Sequence, residues 1–415
     1  MAERNLNLDL IPAEEALFKY LSALNGKLVP KFEVISVEES LGRITSAKAC
    51  AKLNSPHYNA AAMDGIAVKA LITINASEAN PLELIEGYDF INVNTGDPVF
   101  SPYDAVIMAE DLIIVDEDFN EEEDENKNVK ITKSVFPNQH VRLIGESIKI
   151  GEEILSAKHK IRPVDIGMLL TAGITTIEVY STPKVAIFPT GSEIIDICAS
   201  NLQMGEVPEA GKIIESNSRM YEAQVKQAGG EGKRFATVPD NFDLLKDVIT
   251  KASLEFDIVL INAGSSAGTE DFTVQVLREI GEVIIHGVAM KPGKPVILAI
   301  VNGKPVIGTP GYPVSAFLSF ETFALPILSV LTGQAIKPKQ KIEAVLSEKI
   351  TSTPKQREYV RIRLEQINGK LTAFPLIRHS GVAMSLVKAD GFCIIDIGCE
   401  CIEVGETVTV ELIES

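Results

Sequence analysis

Three apolar runs, each closing on a tight Gly-rich or Pro-rich loop, constrain this 415-residue chain more than any other feature: PKVAIFPTGSE (183–193), DIVLINAGSSAGTED (257–271) and KPVIGTPGYPVSA (304–316). Runs of that length ending in Gly and Ser read as strands buried on both faces of a parallel sheet and feeding helices. Ligands of such sheets bind outside the carboxyl ends of the strands, so one crevice is expected to collect all three loops. Helical stretches such as SRMYEAQVKQAG and FDLLKDVITKA alternate with apolar runs, which marks residues 181–332 as βαβ units around a parallel sheet.

The flanking regions read differently. IPAEEALFKYLSAL (11–24) has helical spacing, with Pro12 as a start signal and Asn25-Gly26 as a stop. Residues 51–144 are short β-rich runs broken by turns, a compact β domain inserted into a host that resumes near VRLIGESIKIGEEIL and carries an amphipathic helix over 162–174. The host is thus discontinuous, residues 1–50 and 145–180. After Thr332-Gly333, alternation in KIEAVLSEKI and EYVRIRLEQING gives residues 333–415 the pattern of a small β barrel or sandwich. The longest apolar stretch, 314–331, holds Glu321 in its middle and Pro326 near its end, which favours a buried helix over a membrane span.

A formal net charge of −18 argues against a nonspecific grip on nucleic acid or an anionic membrane, so an anionic ligand must find a local cationic pocket. Much of the acid lies in DEDFNEEEDEN (116–126), the pattern of a solvated loop. Five cysteines and no signal peptide imply reduced thiols in a cytoplasmic protein; Cys393, Cys399 and Cys401 fit a strand near a turn better than a soft-metal site. The five histidines form no HExxH pair, and no GxxxxGK[ST] loop is present.

The loops carry the candidate chemistry. In TGSEI, Thr190, Gly191 and Ser192 offer hydroxyls and backbone N–H groups to phosphate beside the Glu193 carboxylate, and a helix cap is the alternative reading. In NAGSSAGTED, Gly264 and Gly268 leave room for a ligand, Ser265 and Ser266 supply hydroxyls, and Asp271 precedes a helix. The same loop matches the G-x-S-x-G elbow, which would make Ser266 the nucleophile of a serine hydrolase, but no HGGG-type oxyanion segment precedes it. Lys291 and Lys294 in KPGKP are cations stiffened by prolines, and GTPGYPVSAF brings Ser315 into the first turn of the apolar helix. Asp64 before Gly65 and Thr95 in NTGDP are turn signals when taken singly.

Taken in order, AMDG, NTGDPVF, YDAVIMAE, VRLIGESIKIG, FPTGSEI, ESN, AGSSAGTEDFT, KPGKP, GTPGYPVSA and HSGVAMSLVKADGFCIID give a series that resembles the MoeA family, the molybdopterin molybdenumtransferases that include the E domain of gephyrin. The resemblance covers essentially the whole chain. It implies a homodimer of four-domain subunits, with a discontinuous helical and β domain, an inserted β domain, a molybdopterin-binding three-layer α/β domain with a mostly parallel sheet, and a C-terminal β barrel. Adenylylated molybdopterin and molybdate are the implied substrates, magnesium the implied cofactor, AMP the leaving product, and other molybdenum-cofactor biosynthesis proteins the implied partners. The family's functional acids fall on Asp64, Glu193, Asp240 and Asp271, with Thr95 beside them, and Glu193, Asp240 and Asp271 as the metal-binding set. Asn217 of the ESN motif, Pro310, Gly311 and Pro313 match substrate-loop positions, while Arg357 and Ser380 match barrel positions suited to molybdate. Ser147, Ser192, AGSS and Tyr312 depart from the family's usual Asp, Asp, GGVS and Asn. A molybdopterin-binding scaffold without turnover is the reading from another class.

Overall fold

Period-two alternation splits each central strand between two cores, which is why the runs look apolar throughout. The computed structural model describes residues 10–115, 128–198, 200, 205–263 and 272–413, so the acidic run 116–126 lies outside them. The chain divides into two compact units, Met1–Glu33 with Tyr180–Ser415, and Val34–Val179.

In the first unit the order is α1 (Ala13–Ala23), β1 (Lys184–Pro189), α2 (Asn217–Gln227), β2 (Glu231–Arg234), α3 (Phe242–Glu255), β3 (Ile258–Ala263), α4 (Phe272–Ile280), β4 (Glu282–His286), β5 (Ile297–Val301), β6 (Lys304–Pro310) and α5 (Pro313–Ser319). The sheet runs β2-β1-β3-β6-β5-β4. Strands β2, β1, β3 and β6 are mutually parallel, and β5 is antiparallel to β6 and β4. Val185, Ile187, Leu260 and Ile307 face one core with α1, α2 and α5, while Ala186, Phe188, Val259 and Val306 face another with α3 and α4. Each fully buried Val or Ile contributes about 2 kcal/mol.

The first helix differs from the grouping of residues 1–50 with the discontinuous host that the sequence pattern suggests. Helix α1 buries Ala13, Ala16 and Tyr20 in the sheet's own core. The Tyr20 hydroxyl donates to Ala299 O at 2.8 Å and Val306 O at 3.2 Å, carbonyls of a paired β5–β6 position, and burial pushes its phenol well above the usual range. A fully buried tyrosine needs such a partner, and the sheet provides it.

The apolar helix Pro313–Thr332 has the length and composition to cross a membrane, but 61% of its apolar window is buried in this fold. A π turn, Phe320–Ala324, interrupts it just before Pro326. Proline lacks the N–H for the bond to Thr322 O and crowds that carbonyl, and the wider turn accommodates it.

The last domain is the barrel of the two alternatives. Strands β7 (Lys341–Leu346), β8 (Arg357–Ile367), β9 (Lys370–Pro375), β10 (Gly391–Ile395) and β11 (Thr407–Leu412) pair in the ring β8-β9-β7-β11-β10-β8. Closure removes the sheet edges. Cys393 of β10 lies in this core, where burial pushes its thiol up to about 11.

In the second unit, Val37, Ala51, Ile148, Leu155, Leu169 and Val179 form a host core, and Ile66, Val68, Leu84, Phe90, Ile107 and Ile131 a separate core of the inserted part. The helix Pro163–Thr171 of the host starts on Pro163, and the Asp165 carboxylate accepts the Arg162 N–H at 2.8 Å to cap it.

Candidate active site

A cleft of about 860 Å³ opens at the carboxyl ends of β1, β3 and β6 and extends to the barrel, within the usual size range of small-molecule sites. Its floor is a neutral network. Asn262, one residue before the end of β3, donates from Nδ2 to Pro310 O at 3.0 Å and to Thr309 Oγ1 at 3.3 Å, and accepts from Asn217 Nδ2 at 3.0 Å. Asn217 also donates to Gly311 O at 2.7 Å. Thr190, following β1, donates its N–H and hydroxyl to Asn262 O at 3.0 and 3.1 Å. Beneath them the Tyr221 hydroxyl of α2 donates to Thr309 Oγ1 at 2.7 Å. Three strand ends and the start of α2 are thereby tied without a charge. Each donor in a buried site must find such a partner or lose its hydration.

The 190–195 loop forms one wall. Gly191 has φ +124°, a conformation that strains any residue with a side chain, and the Glu193 carboxylate folds back over it, both oxygens 2.7 Å from where a Cβ would lie. Ile194–Ile195 pairs in parallel with Ile213–Ile214, and Glu193 O accepts the Ile213 N–H. Ser192 stands outside the cleft lining and donates its N–H to Asp240 Oδ2 at 3.2 Å, so the exposed Asp240 carboxylate abuts the loop rather than the cleft itself. Next along the wall, buried Glu215 accepts from Ser218 N and Oγ and from Arg219.

Another part of the lining is cationic. Lys291 and Lys294 form it with Arg378 and Ser380 of the 376–381 segment. Arg361 is fully buried under that segment and donates to Ile377 O at 2.6 Å, His379 O at 3.3 Å and Ser385 Oγ at 3.1 Å. Desolvation lowers the Arg361 pKa, while the Glu358 charge opposes that shift. The N–H of Val314, in the first turn of α5, donates to Ser380 O at 3.2 Å, which joins the barrel segment to the helix start beside Pro313 and Ser315.

Ten of the candidate residues therefore border one cleft: Thr190, Glu193, Asn217, Lys291, Lys294, Pro310, Gly311, Pro313, Ser315 and Ser380. Gly191 and Ser192 belong to its wall loop. Arg357 does not reach the cleft. Its guanidinium pairs with Glu14 and, at 2.8 Å, with Asp396, because β8 directs it to α1 and a neighbouring turn. Gly264, Ser265, Ser266, Gly268 and Asp271 lie outside the described residues. Asp64 and Thr95 belong to the other compact unit, where the Asp64 carboxylate accepts the Thr95 N–H at 2.6 Å; that bond and the Thr95 hydroxyl hold its pKa below the usual range. Tyr312, the departure from Asn, lays its ring against Gly381 at the rim.

Sequence pattern alone does not single out Asn262, Glu358, Arg361 or Arg378 as site residues. Two of them left a signal: Asn262 is an amide ending an apolar run, and Glu358 shares the core-facing parity of Val360 and Ile362 on β8.

A three-layer domain with a cation-lined, acid-bordered cleft at its strand ends, joined to a barrel that supplies one wall, defines an enzyme for anionic small molecules. Three family descriptions match consecutive parts of the chain: "MoeA N-terminal region (domain I and II)" over residues 11–173, "Probable molybdopterin binding domain" over 186–330 and "MoeA C-terminal region (domain IV)" over 343–413. A molybdopterin biosynthesis protein of Methanocaldococcus jannaschii is 34% identical over 98% of each chain. A molybdopterin molybdenumtransferase of Staphylococcus aureus is 27% identical over 98% of this chain and 96% of its own. The crystal structure of a molybdopterin biosynthesis MoeA protein from Pyrococcus horikoshii matches with a TM-score of 0.79 and 30% identity, over 98% of this chain and 100% of that one. The chain belongs to the MoeA family, and as a molybdopterin molybdenumtransferase it serves molybdenum cofactor biosynthesis.

Proposed function

We propose that the substrate is adenylylated molybdopterin, that the phosphoanhydride to AMP is cleaved in the cleft, and that molybdenum from molybdate ends on the pterin dithiolene. The observation that carries this reading is that Lys291, Lys294 and Arg378 line one cleft together with Glu193, at the carboxyl ends of the parallel strands. Anionic groups of the substrate are held by the cations and by the start of the Pro313–Thr332 helix. Thr190 and the Asn217–Asn262 floor orient the pterin nucleotide across the strand ends.

Among the described residues no three His, Cys, Asp or Glu side chains cluster to hold a metal ion. Magnesium, however, commonly takes one or two carboxylates plus phosphate oxygens; Glu193 lines the cleft, and Asp240 adjoins the same loop through the N–H of Ser192. Those two residues, with Asp271 in the family's position, would hold magnesium, which when bound supplies charge neutralisation to the anhydride. Asp64 and Thr95 are proposed as a further catalytic pair. The same reading includes a cytoplasmic homodimer, which sedimentation of the purified chain tests for assembly.

The deciding experiment mixes purified protein with adenylylated molybdopterin, magnesium and molybdate and follows AMP. Multiple turnovers are expected. Pterin binding with no AMP release would leave the chain a scaffold.

A further inference from the structure

Two cations of the cleft wall reach it from different parts of the fold and share one buried carboxylate. Glu358 is 2% exposed. It sits near the start of β8, opposite Lys291 in the parallel register of the short strand Met290–Lys291. Its Oε2 accepts from Lys291 Nζ at 3.2 Å and from Ser352 Oγ at 3.2 Å, and its Oε1 accepts from Arg378 at 3.0 Å. Lys291 and Arg378 remain 42% and 33% exposed, so each is pinned on one side and open on the cleft side. Arg378 is pinned a second time by Thr351 O.

We propose that Glu358 is a positioning residue that holds Lys291 and Arg378 at one spacing on the cleft wall to receive a tetrahedral oxyanion; this rests on the molybdate reading of the cleft. Unpaired, a lysine stem samples many rotamers, and ordering it on ligand binding weakens affinity. Pinned in advance, it does not incur that loss. The charge balance also suits a dianion: two cations against one carboxylate leave a net positive wall, and Lys294, beside them, forms no ion pair among the described residues. A buried carboxylate is itself retained only when paired, so the three groups form a unit whose members depend on one another.

Two measurements on the full chain test this. Calorimetric titration with tungstate and with molybdate compares the wild type, Glu358→Gln, Lys291→Ala and the double variant. Glu358→Gln keeps the size but removes the charge, and the dissociation constant is expected to rise about tenfold. Lys291→Ala should then weaken binding much less in the Gln background than in the wild type, because its partner is already released. Independently of any oxyanion, amine labelling by trinitrobenzenesulfonate, mapped to Lys291, should quicken in Glu358→Gln. Circular dichroism checks that the variant is folded; if it is not, Glu358→Asp serves in both measurements, with a smaller rise expected. Unchanged labelling, equal or tighter oxyanion binding, or fully additive effects of the two substitutions would each overturn the proposal. A wild type that binds neither oxyanion would instead overturn the molybdate reading on which it rests, whatever the labelling shows.

Discussion

The floor of the cleft and its barrel wall solve the same problem, holding a loop still, by opposite means. The floor uses amides and hydroxyls, Asn262, Asn217, Thr309 and Tyr221, which bond to backbone carbonyls and to one another. The wall uses charges, Arg361 under the 376–381 segment and Glu358 between Lys291 and Arg378. A neutral network fixes backbone geometry without adding a field, and suits the proposed seat of a heterocycle across the strand ends. Charged clamps fix geometry and polarity together, and suit the proposed seat of an anion.

Four outcomes would sharpen or break this contrast, the largest first. Arg361→Met removes a fully buried guanidinium and strands the carbonyls of Ile377 and His379, so urea unfolding should show a loss on the order of 3 kcal/mol. A loss below 0.5 kcal/mol, roughly the scale of surface changes, would mean the wall does not rely on a charged clamp. Asn262→Ala should lower stability by about 2 kcal/mol through the unpaired groups of Asn217 and Pro310, with a raised KM for the pterin nucleotide and little change for molybdate. An equal effect on both substrates would erase the distinction between floor and wall.

Tyr221→Phe deletes one buried hydroxyl bond to Thr309, a cost of about 1 kcal/mol at neutral pH. Its alkaline limb carries a sign. Burial raises the Tyr221 phenol above its ordinary value, so its contribution is fully present below the unfolded pKa of about 10 and is lost as pH rises beyond it toward the folded value. The Phe variant should therefore lose stability less steeply in alkali, which a pH series of melts reads directly. The smallest effect concerns salt. Molybdate affinity should fall modestly as ionic strength rises, because Lys291 and Arg378 are partly solvent-facing, whereas the melting deficit of Asn262→Ala should stay constant across the same series.

Much of the architecture was legible from local pattern. The strand-loop units over 183–316, the helix at 13–23, the helix at 163–171 and the barrel alternation all follow from periodicity and end signals carried by neighbouring residues. Lys291, Lys294, Pro310 and Ser315 could be placed near one crevice because a parallel sheet sends its strand ends the same way. Arg357 and Arg378 lie beyond what local pattern decides. Both are arginines on a half-polar barrel, and nothing local tells that the first turns toward Glu14 and Asp396 while the second enters the cleft. The allegiance of the first helix was equally hidden, since Tyr20 finds its acceptors 279 and 286 residues away.

Composition and periodicity determined by themselves that this chain builds a two-faced sheet with loops at one end of its strands, because apolar spacing within ten or twenty residues decides which face a residue buries. Tertiary structure alone decided which charges meet: Glu358, Lys291 and Arg378 come together only after the barrel closes against the sheet domain. A buried charge is tolerable only with its partner in reach, and distance in space, unlike spacing along the chain, is set by the whole fold.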